Sequence, residues 1–246
     1  MLKIFENEHA VAEQIAKEME EGLSKASPVY CLAAGSTPAK GYDLFARRIT
    51  QRKVNLDHLK IVSLDEWVGV PSESEGSCFE MLRKDLFAKI PIGEKQITFF
   101  DGMVHVPEEE CQRIDNFIKK NPITFSLMGV GVNGHIGLNE PGFPVLDHSC
   151  IVELSDTTKC VAQKYFEGEA VLEDGITLGL AQIIASDRVI VVVTGSHKAA
   201  IVKEIFSKAG ARLPASYLLG HGHIDFYLDK EAAKYLNEKE VVAHEC

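Results

Sequence analysis

No apolar run in the chain approaches the roughly 18 residues that span a bilayer. The first ten residues, MLKIFENEHA, also lack the apolar stretch of a secretory leader, so a cytoplasmic location is expected. Positive charge is in deficit: 26 Lys and Arg stand against 36 Asp and Glu, a formal net charge of -10. That balance argues against nucleic acid or an anionic membrane as a general partner, and any anionic ligand needs a local basic pocket. The six cysteines, Cys31, Cys78, Cys111, Cys150, Cys160 and Cys246, include no C-x-x-C pair and stand near no histidine at zinc-finger spacing. Neither a disulfide framework nor a structural metal is expected, and Cys31 and Cys150, in apolar runs, are expected to be buried and inert. Repeats, low-complexity tracts and long linkers are missing too. What remains, 46% hydrophobic and 25% charged over 246 residues, is ordinary globular composition, and a single domain over 1–246 is expected.

Short apolar runs alternate with amphipathic ones. Val11, Ile15, Met19 and Leu23 recur at near-helical spacing within 8–25, and Val29 to Ala34 then forms a strand-like run. Further strands are expected at 59–64, 97–100, 123–128, 148–154, 189–193 and 224–228. Helices are expected after Pro38, over 76–90, from Pro107 to Lys120, around 181–185, after Gly195 and from Lys230. Residues 155–166 suit a short helix or ordered loop, and polar flanks make 153–172 a candidate lid. This alternation predicts an α/β fold: one doubly wound, mostly parallel sheet with helices on both faces, Rossmann-like.

Four of the expected strand ends carry unusual residues. Gly35-Ser36-Thr37-Pro38 offers a glycine turn, hydroxyls and a proline suited to a helix start, a pattern that fits either a phosphate or a plain helix cap. Asp65-Glu66-Trp67 puts adjacent carboxylates where alternation gives them different surroundings; a solvated acidic turn is the other reading. The segment from Gly129 to Gly142, GVGVNGHIGLNEPG, breaks a buried strand into glycine-rich backbone carrying His135 and Glu140. Gly195-Ser196-His197-Lys198 opens a helix with a lysine in its first turn, which opposes the helix dipole unless an anion binds there. Open α/β sheets bind ligands outside the carboxyl ends of their strands, so these ends are expected to converge on one site for a phosphorylated small molecule.

The pieces LAAGSTP, SLDEWVG, GVNGHIGLNEPG, GITLGL, VVVTGSHKA and LPAS, in this order, resemble the glucosamine-6-phosphate deaminase and isomerase family over nearly the whole chain. LDEWV, GHIGLNEPG and GITLGL are most similar to its galactosamine-6-phosphate branch. The resemblance implies aldose-ketose isomerisation with loss of ammonia from an amino-sugar 6-phosphate, with no metal or other cofactor. It makes Asp65 the base, His135 the group that opens the sugar ring and Glu140 the holder of that imidazole. Gly35, Ser36, Thr37 and Lys198 would bind the 6-phosphate. Asn133 occupies a position that is aspartate in some members, so Glu140 alone would supply negative charge to His135, whose pKa should rise less. Ser36 replaces a glycine of the common T-G-G-T-P form, and Lys164 stands where some members carry a phosphate-binding arginine. A phosphosugar lactonase of the same fold and a non-catalytic sugar-phosphate sensor are the competing readings. The oligomeric state is left open.

Overall fold

A computed structural model describes residues 1–207 and 212–237; Cys246 lies outside the described residues. Seven strands form one parallel sheet: β1 (Leu2–Phe5), β2 (Val29–Leu32), β3 (Lys60–Ser63), β5 (Ile97–Thr98), β6 (Phe125–Gly129), β9 (Val189–Val193) and β10 (Ile224–Asp229). Their spatial order is β1-β10-β9-β6-β2-β3-β5, and every pairing is parallel. The chain builds outward from β2 through β3 to β5, returns to place β6 beside β2, then builds the other way through β9 and β10. The direction of winding therefore reverses between β2 and β6. Such a reversal leaves a crevice at the strands' carboxyl ends, because the connections on either side lead away to opposite faces.

Strand alternation distributes the core over both faces. Tyr30 and Leu32 pack with α1 (Glu8–Gly22) and α2 (Ser36–Arg52) through Ile15, Met19, Phe45 and Ile49. Val29 and Cys31 point the other way. There Ile114 of α4 (Pro107–Lys120), Ile183 of α6 (Leu180–Ile184), Val202 of α7 (Ala199–Ile205) and Ala232 of α8 (Lys230–Ala233) cover the sheet. The result is the expected doubly wound α/β architecture.

A second, three-stranded antiparallel sheet was not expected. It comprises β4 (Asp65–Trp67), β8 (Asp174–Thr177) and β7 (Cys150–Glu153), in that order. Strand β7 lies within the strand expected at 148–154, but β4 and β8 are only three and four residues long, too short to show a period. Its third strand explains why Cys150 is only half-buried, against expectation, whereas Cys31 at the centre of the main sheet is fully buried. Between β7 and β8 the chain forms α5 (Asp156–Ala162) and a 3-10 turn, Gln163–Tyr165. A small apolar cluster of Trp67, Cys78, Leu138, Leu154, Ala162 and Leu172 seats this excursion on the rest of the molecule. Strand β1 was also unread, because the four residues LKIF at the sheet edge alternate too briefly.

Candidate active site

The crevice at the switch point is a pocket lined by Gly35, Ser36, Thr37, Asp65, His135, Lys164 and Lys198, which the structure brings together as expected. Asn133 and Glu140 stand behind His135 and are outside the lining. Each wall follows from local chain chemistry. Gly35 has φ 103° and precedes α2, so the first turn of that helix begins at the crevice. A side chain at Gly35 would be strained by that φ and would also meet the Tyr165 hydroxyl, 3.2 Å from the Cβ position.

Asp65 and Glu66 have the different surroundings that alternation predicts. Asp65 lines the pocket and is 8% exposed, while Glu66 is completely buried. The Glu66 carboxylate accepts from the backbone N–H groups of Trp67 (3.0 Å), Cys78 (2.9 Å) and Phe79 (3.0 Å) and from the Ser77 hydroxyl (3.2 Å). It thereby closes the amino end of α3 (Cys78–Asp85). Burial, reinforced by the neighbouring Glu66 charge and opposed by a hydrogen bond to the Cys78 thiol, raises the Asp65 pKa to about 7. A carboxyl titrating there can both take and return a proton near neutral pH.

The loop after β6 holds His135 flat over Gly131. A Cβ at residue 131 would lie 2.3 to 2.5 Å from three atoms of the imidazole, so glycine is required for the ring to occupy this place. Burial lowers the His135 pKa to about 4; Glu140 opposes the shift and Lys198 adds to it. Desolvation therefore outweighs the carboxylate, and the imidazole is neutral at pH 7. Glu140 also does not hold the ring directly. Its Oε2 lies 3.9 Å from Nδ1, beyond hydrogen-bonding distance. The atom bonded to Nδ1 is the Thr158 hydroxyl, at 3.1 Å. Glu140 instead accepts from Asn133 Nδ2 (2.8 Å) and from the hydroxyl (3.1 Å) and backbone N–H (3.3 Å) of Ser155.

The basic wall has two ammonium groups. Lys198 donates to the Val130 carbonyl at 2.6 Å, and burial together with the charge of Lys164 lowers its pKa to about 8. Lys164 lies 4.8 Å from the centre of the Tyr165 ring. Among the described residues neither lysine has a carboxylate partner. Partial burial of the Lys198 charge without a carboxylate partner is costly, Lys164 is exposed at the same rim, and a phosphate in the cavity has the charge to pair with both.

Sequence reasoning missed Ser155, Thr158, Tyr165 and Cys78. The S-x-x-T spacing does signal a helix start, and the Ser155 hydroxyl does accept from Thr158 N–H as the cap of α5. Nothing in the sequence joins that cap to a histidine twenty residues earlier.

A family model described as glucosamine-6-phosphate isomerases/6-phosphogluconolactonase matches residues 6–226. The chain belongs to that family. Among curated relatives of this family, glucosamine-6-phosphate deaminase of Bacillus cytotoxicus is 32% identical over 238 residues, covering 96% of this chain and 88% of the relative. The corresponding protein of Bacillus thuringiensis is 33% identical over 231 residues, covering 93% and 86%. A solved monomeric glucosamine-6-phosphate deaminase superposes with a TM-score of 0.90 at 26% identity, covering 96% of this chain and 99% of that one. The 6-phosphogluconolactonase of Thermotoga maritima, at 20% identity and a TM-score of 0.75 over 94% of this chain and 99% of that one, shares the fold.

Proposed function

We propose that the protein converts an amino-hexose 6-phosphate and water into a ketose 6-phosphate and ammonia. The observation that carries this reading is the placement of Asp65 and a neutral His135 in one cavity with the unpaired Lys164 and Lys198. The backbone at Gly35, Ser36 and Thr37, with Lys198 and Lys164, binds the phosphate and aligns the sugar carbons with Asp65. His135, neutral at rest, takes the proton of the anomeric O1 hydroxyl and delivers it to the ring oxygen as the C1–O5 bond breaks, which opens the pyranose to the aldehyde. Asp65 takes the proton from C2, giving an enolamine, and returns it to C1. The resulting C2 imine adds water and expels ammonia. Each step needs only proton carriers and water.

Glucosamine-6-phosphate giving fructose-6-phosphate is the favoured substrate reading. The relatives bear that name, whereas the galactosamine reading rests on LDEWV, GHIGLNEPG and GITLGL alone. Parallel assays of both epimers, following ammonia without added metal or nucleotide, are expected to give release from both, faster with glucosamine-6-phosphate. Faster turnover of galactosamine-6-phosphate would restore the other epimer. Silence with both, joined to hydrolysis of 6-phosphogluconolactone, would move the protein to the lactonase branch.

The same groups set a pH profile. Asp65 must be ionised to accept a proton, so kcat/KM rises as pH passes upward through about 7. Lys198 must be protonated to bind phosphate, so kcat/KM falls as pH passes upward through about 8. A narrow bell is expected. Lys198→Arg, charged at every pH of the assay, should displace the alkaline limb and leave the acid limb in place. A kcat/KM that stays flat down to pH 5 would remove Asp65 as the base.

A further inference from the structure

The 3-10 turn that follows α5 is held at two points. Gln163 clamps it: the side-chain amide donates to the Ala170 carbonyl (2.9 Å) and accepts from the Ala170 N–H (3.0 Å). Phe166 anchors its end by lying over Gly76, where a Cβ would meet two ring carbons at 2.5 Å. Between these anchors Tyr165 lines the pocket, with the Lys164 ammonium 4.8 Å from its ring centre. The Tyr165 hydroxyl lies 3.2 Å from the Cβ position of Gly35, whereas the ring carbon Cζ that bears it lies 3.9 Å away. The O–H end therefore points at the turn that opens α2.

That hydroxyl has no bond within the protein. Among the described residues no group pairs with Tyr165 Oη, and the atom is not sealed from the cavity. A buried phenol ordinarily finds a partner for its O–H, so an unpaired one held in a clamped turn and aimed into a pocket lacks its acceptor. The turn it faces supplies donors: no side chain caps α2, which leaves its first-turn N–H groups open. The ammonium groups of Lys164 and Lys198 line the same pocket. A ligand that meets all of these must be rich in acceptors and negatively charged, and a phosphate is both.

We propose that Tyr165 is a further phosphate-binding residue, its hydroxyl donating to the anion held at the Gly35–Thr37 turn beside the ammonium of Lys164. That the anion is the substrate's 6-phosphate rests on the function proposed above; the binding of phosphate itself does not. The excursion between β7 and β8 thus brings two unlike donors to one ligand. Lys164 is exposed and contributes a screened charge, whereas Tyr165, half-buried and fixed by its neighbours, contributes a directed hydrogen bond. The glycine at residue 35 serves both the φ of the turn and the approach of this hydroxyl.

The test titrates inorganic phosphate into the wild type and Tyr165→Phe by calorimetry, with kcat and KM for glucosamine-6-phosphate measured on the same samples. Phenylalanine keeps the ring, its packing and the ammonium over its face, and removes the hydroxyl alone. The phosphate Kd is expected to rise about tenfold and KM by a similar factor, with kcat changed by less than about twofold. The Tm of the free protein should stay the same, since the wild-type hydroxyl has no partner to lose. A merely structural role would lower Tm and leave the phosphate Kd in place. Equal phosphate affinity in the two proteins overturns the proposal, as does a wild type that binds no phosphate. If the variant binds phosphate more weakly while the wild type deaminates neither amino-hexose 6-phosphate, Tyr165 stands as an anion ligand and the proposed reaction falls.

Discussion

Asp65→Asn is expected to lower kcat by at least about a hundredfold while making the folded protein more stable at pH 8. The first effect follows from chemistry: an amide of nearly equal volume cannot accept the C2 proton. The second follows from linkage. Burial and the adjacent Glu66 raise the Asp65 pKa from an ordinary 3.8 to about 7. A carboxyl whose folded-state pKa is raised contributes stability that is fully present below 3.8 and is lost as pH rises through about 7. At pH 8 the wild type therefore bears the cost of an ionised, desolvated carboxylate that asparagine does not carry. The Tm of Asp65→Asn should exceed that of the wild type by roughly a few degrees at pH 8, with the gap closing as pH falls toward 4. Calorimetry at both pH values, with an ammonia assay on the same samples, separates the two effects. Near-normal turnover would remove Asp65 as the base, and a lower Tm at pH 8 would show that the wild-type carboxylate is better compensated than its burial implies.

Much of this site was visible in the chain before folding because each of its pieces violates a local preference. A lysine in the first turn after Gly195, a glycine-rich break after a buried strand, and adjacent carboxylates after an apolar run each oppose propensity, and functional positions are where such opposition is tolerated. The reversal between β2 and β6 supplied the one thing spacing lacked, a reason for these ends to meet. Of the small antiparallel sheet only β7 was legible; β4 and β8 escaped because each has too few residues to show a period and they pair across more than a hundred residues, as between Asp65 and Thr177. The Thr158 contact escaped for a similar reason: a hydroxyl on a short helix has no signature until the helix is placed. The sign of the His135 shift was misjudged because counting carboxylates in sequence ignores desolvation, and burial is the larger cause.

Glu66 is the counterpart of Asp65, and its loss is expected to damage folding before chemistry. Its carboxylate gathers three backbone N–H groups and the Ser77 hydroxyl where no water can replace it, since the side chain is completely buried. Glu66→Ala leaves those donors unpaired at the start of α3, at a cost of about 3 kcal/mol or more. The urea midpoint should fall with the slope preserved, as for a change in stability without a change in the exposed surface. Glu66→Gln supplies a milder case in which the charge alone is lost. Because the Glu66 charge is one cause of the raised Asp65 pKa, that variant should move the acid limb of kcat/KM to lower pH. A loss under about 1 kcal/mol in Glu66→Ala would mean that α3 finds other partners for its amino end. An unmoved acid limb in Glu66→Gln would mean that burial by itself holds Asp65 near neutrality, and that the adjacent carboxylates are paired for architecture without electrostatic consequence for the base.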